Sequence, residues 1–162
     1  MPALRSLRTD SISFVALAWL TLGLTGCSES TNDEPVAPPA DVAPSFSSID
    51  KDGRWLVLNY WAEWCKPCLE EIPELNAYAA EHADSVHVVL VNYDGVTGTA
   101  LRDLGNDLGI ETDMVEADPS ATLGIEKPQV LPSTFVFDPE LKLTHTLLGP
   151  QTRETLGNVI AH

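Results

Sequence analysis

The run Trp55-Leu56-Val57-Leu58-Asn59-Tyr60-Trp61, leading directly into Trp64-Cys65-Lys66-Pro67-Cys68, constrains this chain more than any other stretch. The first segment is short, apolar and aromatic, the composition of a strand buried in an α/β sheet. Ala62-Glu63-Trp64 is then expected to turn into a helix that Cys65 begins. In the first turn of a helix, unpaired backbone N–H groups and the helix dipole favour an anion. A cysteine there has a stabilised thiolate, the species that attacks disulfides. Lys66 adds a positive charge beside it. Pro67 costs little, because first-turn N–H groups have no intrahelical acceptor. The pair Cys65 and Cys68 therefore reads as a dithiol for thiol–disulfide exchange.

Two other uses of Cys-x-x-Cys compete with that reading. A structural zinc needs four ligands, and here the remaining cysteine is Cys27 and His82, His87, His145 and His162 are scattered. No metal or other cofactor is expected. A static disulfide is the other alternative, although a Trp before the pair and a Pro within it, at a strand–helix junction, favour exchange.

The N-terminal residues carry a different message. Arg5 and Arg8 precede Ile12–Leu24, an uncharged and mostly apolar stretch. It falls short of the roughly 20 residues that a membrane-spanning helix requires. It suits the core of a secretory signal. Leu24-Thr25-Gly26-Cys27 follows and resembles a bacterial lipobox, in which the cysteine becomes lipidated and N-terminal after cleavage. An ordinary signal peptide with an incidental cysteine is the alternative. With more than one acyl chain on Cys27, anchoring would be stable. By analogy with bacterial lipoproteins, Ser28 after the cysteine, rather than Asp, implies the periplasmic face of the outer membrane in a Gram-negative cell. Residues 28–45, with Pro35, Pro38, Pro39 and Pro44 among Ser, Asp, Glu, Ala and Thr, read as a disordered tether. The expected division is a cleaved signal over 1–26, a lipidated tether over 27–45 and one domain over 46–162.

Charge narrows the partners. The chain carries −15, and loss of residues 1–26 makes it −16. Such acidity argues against nucleic acid or anionic lipid surfaces as partners. It fits an extracytoplasmic domain or a saline habitat. A monomer is the default expectation.

Further along, Leu69, Ile72, Leu75 and Ala79 recur at helical spacing, giving an amphipathic helix of about five turns with Pro73 inside it. Val86–Tyr93 reads as a second buried strand. Thr99–Leu108 reads as a helix closed by Gly109. Met114-Val115 suggests a weak strand and Ser120–Leu123 a short helical turn. Ser133–Phe137 and Leu143–Leu148 form a hairpin around Asp138-Pro139-Glu140-Leu141, and Arg153–Ile160 closes the chain as a helix. This order predicts a central mixed sheet flanked by helices. Pro132 stands at a strand start, where proline is tolerated; the cysteine pair favours a cis Leu131–Pro132 bond over the commoner trans form.

The residues Asn59-Tyr60-Trp61-Ala62-Glu63-Trp64-Cys65-Lys66-Pro67-Cys68, with Pro73 and Leu131-Pro132, resemble the thioredoxin fold. The closest resemblance is to the membrane-associated TlpA/ResA/CcmG-like group of bacterial thiol–disulfide oxidoreductases, over nearly all of residues 46–162. It implies that Cys65 is the nucleophile and Cys68 the resolving thiol. It also implies that Pro132 is a cis-proline shaping a substrate groove and that Trp64 lines the active-site rim. It implies protein disulfides or dithiols as substrates, a membrane thiol protein as electron donor, and reduction as the direction. Disulfide formation, a thioredoxin-fold binding module with a locked disulfide, and a copper carrier remain as alternatives.

The chain departs from the pattern in three ways. Asn59 stands where thioredoxin itself has a buried Asp, and an amide cannot take up a proton. Glu71, one turn after Cys68, matches an acidic residue near the active site of ResA-like proteins, and that resemblance makes it the candidate acid/base, against the alternative of a solvated helix carboxylate. The N-terminal hairpin usual in the group is expected to be abbreviated or absent, and Lys66-Pro67 does not fix the redox direction.

Overall fold

The computed structural model describes residues 53–160. The signal, Cys27, the tether and the expected abbreviation of an N-terminal hairpin lie outside them. Nine elements follow in order: β1 (Trp55–Trp61), α1 (Lys66–Glu81), β2 (Val86–Asn92), α2 (Gly98–Leu108), β3 (Asp113–Val115), α3 (Ser120–Leu123), β4 (Ser133–Phe137), β5 (Leu143–Leu148) and α4 (Arg153–Val159). The strands form one sheet in the order β3-β2-β1-β4-β5. β1, β2 and β3 run parallel, β4 pairs antiparallel with β1, and β5 pairs antiparallel with β4. This is the mixed sheet that the residue pattern predicts, with β1 at its centre.

Alternation along β1 builds the two cores. Val57 and Trp61 face the side occupied by α1, α2 and α4, where they meet Cys68, Leu75, Leu101 and Leu156. Leu56, Leu58 and Tyr60 face the other side, with Val89, Val91, Phe135 and Phe137. All of these side chains are buried. Because the side-chain period of a strand is two, a one-residue slip would exchange the two faces.

The stripe that α1 buries differs by a residue from the expected one. Cys68, Glu71, Ile72, Leu75 and Tyr78 are buried, whereas Leu69 and Ala79 sit half-buried at its margins. Glu71 is thereby drawn onto the apolar face. Its neighbour Glu74 points outward and receives Arg153, whose backbone N–H and Nε lie 3.1 and 3.4 Å from Glu74 Oε2. Arg153 Nη1 also donates to Glu81 at 2.7 Å, tying α4 to α1. Gly109 ends α2 at φ 67°, a left-handed position that favours glycine. In the hairpin turn Asp138 Oδ1 accepts from the N–H of Glu140 and Lys142.

Candidate active site

The cysteines sit where β1 hands over to α1. Cys65 is the N-cap, so helix α1 starts one residue later than the sequence pattern suggests. Its N–H donates to Ala62 O at 3.0 Å, and its carbonyl accepts from Cys68 N at 3.0 Å and Leu69 N at 3.2 Å. Lys66 and Pro67 occupy the opening helical positions, so the pair stands at the N-terminus of α1. Cys65 and Cys68 are joined as a disulfide with Cα atoms 5.3 Å apart. Cys65 is 5 % exposed and Cys68 fully buried, so solvent meets the pair on the Cys65 side.

Trp64 projects at 66 % exposure, held by a bond from its Nε1 to Asp94 Oδ2 at 2.9 Å. Lys66 turns toward Glu70, 3.5 Å away, and both are exposed. Its charge is thus shared with a carboxylate in water, which weakens its effect on the neighbouring sulfur. The Leu131–Pro132 peptide is cis. Register places it: Tyr60 pairs with Ser133, so Pro132 lies against the end of β1 from which the cysteine turn departs. Val130, two residues earlier, is an exposed apolar side chain that the sequence does not single out.

Glu71 is 2 % exposed, so it is not a solvated helix carboxylate. Asn59 Nδ2 donates to its Oε1 at 2.8 Å, and the Gln151 backbone N–H donates to its Oε2 at 2.7 Å. Burial pushes its carboxyl up to about 7, against the pull of the Gln151 and Asn59 hydrogen bonds. Asn59 Nδ2 donates a second bond to Thr134 Oγ1 at 3.0 Å. Donors from β1 and from the turn before α4 therefore converge on this α1 carboxylate, and β4 holds the β1 donor through Thr134. Sequence reasoning found Glu71 but not Thr134 or Gln151. The available signals were Asn59 interrupting an apolar strand run and the spacing of Glu71 three residues after Cys68, on the same helical stripe.

A central mixed sheet with α-helices packed on it, a cysteine pair at the tip of the first strand and a cis-proline beside it define a protein of the thioredoxin fold, in the TlpA/ResA/CcmG-like style. By sequence the chain belongs to the AhpC/TSA family, whose profile matches residues 40–146. It is similar to the thiol-disulfide oxidoreductase ResA of Bacillus anthracis, 28 % identical over 108 residues, which cover 66 % of this chain and 62 % of that protein. It is also similar to the thiol:disulfide interchange protein HelX of Rhodobacter capsulatus, 28 % identical over 124 residues, covering 75 % of this chain and 68 % of HelX. Among solved structures, a DsbF homologue from Corynebacterium diphtheriae superposes with a TM-score of 0.58 at 29 % identity, covering 69 % of this chain and 73 % of that one.

Proposed function

We propose that this protein is a thiol–disulfide oxidoreductase held outside the cytoplasm, and that it reduces disulfides in other proteins. The observation that carries the reading is the Cys65–Cys68 disulfide at the β1–α1 junction, with Cys65 slightly exposed and Cys68 fully buried. The names of ResA and HelX support the same chemistry.

In the forward reaction the Cys65 thiolate attacks one sulfur of a substrate disulfide. A Cys65–substrate disulfide forms and the first substrate thiolate leaves. Cys68 then gives its proton to Glu71 and attacks Cys65 Sγ. The enzyme disulfide closes, and the second substrate thiolate leaves and recovers a proton. Two electrons pass from the enzyme dithiol to the substrate, and a dithiol protein on the membrane restores them by the same exchange. The helix N-terminus favours the Cys65 thiolate. Trp64 and Pro132 border the surface where the substrate chain would lie. The anchor is the lipidated Cys27, the tether spans 28–45 and the working domain is 46–162.

A Cys68→Ser variant, expressed in cells, should trap covalent adducts on Cys65 that dithiothreitol releases. Failure to recover any such adduct would sink the mechanism. The direction follows from the potential of the couple. A value near or below about −220 mV supports reduction, and one near about −120 mV turns the assignment to disulfide formation. Labelled palmitate should enter the wild type and be absent from Cys27→Ser.

A further inference from the structure

Asn59 is the one polar side chain of β1 turned toward the cysteine side of the sheet. Its strand neighbours on that face, Val57 and Trp61, pack in the same cluster as Cys65 and Cys68. It is fully buried. Both hydrogens of its amide are spent, one on Glu71 Oε1 and one on Thr134 Oγ1. Its Oδ1 is buried and finds no hydrogen-bond partner among the described residues. A buried acceptor left unmet is costly, so its retention asks for a reason.

We propose that Asn59 is a positioning residue for the dithiol. Its Nδ2 sets the proton affinity and orientation of Glu71, and its Oδ1 is the acceptor for the Cys68 thiol once the disulfide opens. Thr134 fixes which way the amide faces, because its hydroxyl oxygen holds the second Nδ2 hydrogen. An ionised Glu71 then receives two N–H donors, from Asn59 and Gln151, in a site that otherwise disfavours its charge. Reduction of the disulfide, by two electrons and two protons from a partner dithiol, creates a thiol at Cys68. That thiol is the kind of donor that Oδ1 lacks in the closed form. Amide and carboxylate would then hold the two ends of the proton path that resolves the mixed disulfide. An Asp at this position would set two carboxylates against each other; an Asn serves both partners without a charge.

The surroundings of Glu71 are simple enough to read the effect. β1 presents it with the uncharged Asn59, itself held by Thr134 of β4, and the turn before α4 presents the Gln151 N–H. On α1 itself, the other ionisable groups of the buried stripe are Cys68 and Tyr78, whose phenol burial pushes up. The flanking Glu70 and Glu74 point outward and pair with Lys66 and Arg153.

The proposal deepens the functional reading above and relies on it only for the use made of the proton. The test is a carboxyl ¹³C titration of Glu71 in the oxidised protein, where no thiol titrates. Asn59→Ala should move the Glu71 midpoint up by about one to two pH units from that of the wild type. Asn59→Asp, with a second carboxylate, should move it up at least as far. An Asn59→Ala midpoint within about 0.3 of the wild type, in a protein that still folds, overturns the Glu71 half. Should the variants fail to fold, the wild type decides: the Asn59 side-chain amide ¹⁵N signal must follow the Glu71 titration, and a flat signal overturns it. For the Cys68 half, that amide signal should shift on reduction of the wild type and stay put in Cys68→Ala under the same reductant. No shift on reduction overturns it. A wild type without exchange activity would instead refute the functional reading, and the titration would still report the coupling.

Discussion

Asn59 and Tyr60 are adjacent on β1 and face opposite sides of the sheet, and each donates a hydrogen bond to a carboxylate. On one side Asn59 holds Glu71 at 2.8 Å; on the other the Tyr60 hydroxyl holds Asp118 at 2.6 Å. The two carboxylates end up on opposite sides of their ordinary range. Glu71 is buried with neutral donors only, and burial lifts it to about 7. Burial also pushes Asp118 up, but the Tyr60 hydroxyl, the Ser120 backbone and hydroxyl, and Lys127 outweigh it and hold it below the usual carboxylate range. Tyr60 itself is pushed well above the ordinary phenol range, by burial first and Asp118 second. Hydrogen-bond length does not separate the two sites. Access to water, the added Ser120 hydrogen bonds and, least of all, a nearby cation do. One face of β1 is built to keep a charge fixed, and the other to let a proton come and go near neutral pH.

The largest way to break the contrast is to remove Glu71. Glu71→Ala leaves the Asn59 amide and the Gln151 N–H buried without an acceptor and should cost about 3–5 kcal/mol in urea unfolding. A loss below about 1 kcal/mol would mean that water enters and replaces the carboxylate. Next in size is the pH dependence. The folded protein keeps a proton on Glu71 up to about 7, whereas the unfolded chain releases it near 4.5. Between those values the folded state binds more protons, so stability must fall as pH rises. The fall attributable to Glu71 should be on the order of 3 kcal/mol across that window. Unfolding free energies of wild type and Glu71→Gln, compared from pH 4 to pH 8, isolate it; identical slopes would remove the claim. Tyr60→Phe acts on the other face. It deletes one bond to a carboxylate that water can still reach and should cost about 1–2 kcal/mol, with the Asp118 midpoint rising.

The elements of this fold were legible because their signals are local. The run Trp55–Trp61 gives β1 to the residue, and Gly109 closes α2 in a left-handed position where its helical pattern stops. The cysteine pair was legible for the same reason: strand, turn and helix start are contiguous. The buried carboxylate site was legible only in part. Glu71 stands out by its spacing from Cys68, but the groups that decide its state lie 12 and 80 residues away. Thr134, which orients Asn59, is 75 residues from it. No periodicity links them; the pairing of β4 with β1 does, by setting Asn59 against Thr134. The outward turn of Glu74 beside the inward turn of Glu71 was likewise hidden, since a one-residue shift of the buried stripe decides it.

The smallest effect is the sharpest on the comparison. Lys127 lies 3.8 Å from Asp118, donates to the Tyr93 carbonyl at 2.8 Å and stacks over the Tyr93 ring at 4.3 Å. It is half-exposed, so its pairing with Asp118 is screened by salt. Lys127→Ala should cost no more than about 1 kcal/mol, and part of that loss should disappear at 1 M salt, where the screening length shrinks to about 3 Å. Asp118 should then titrate higher, because one of the influences holding it down is gone. Glu71, on the far face of the sheet among uncharged partners, should keep its midpoint. A Glu71 midpoint that moved with Lys127 would mean that the sheet does not insulate its two faces. The neutral shell around Glu71 would then be an incomplete account of why it titrates near neutrality.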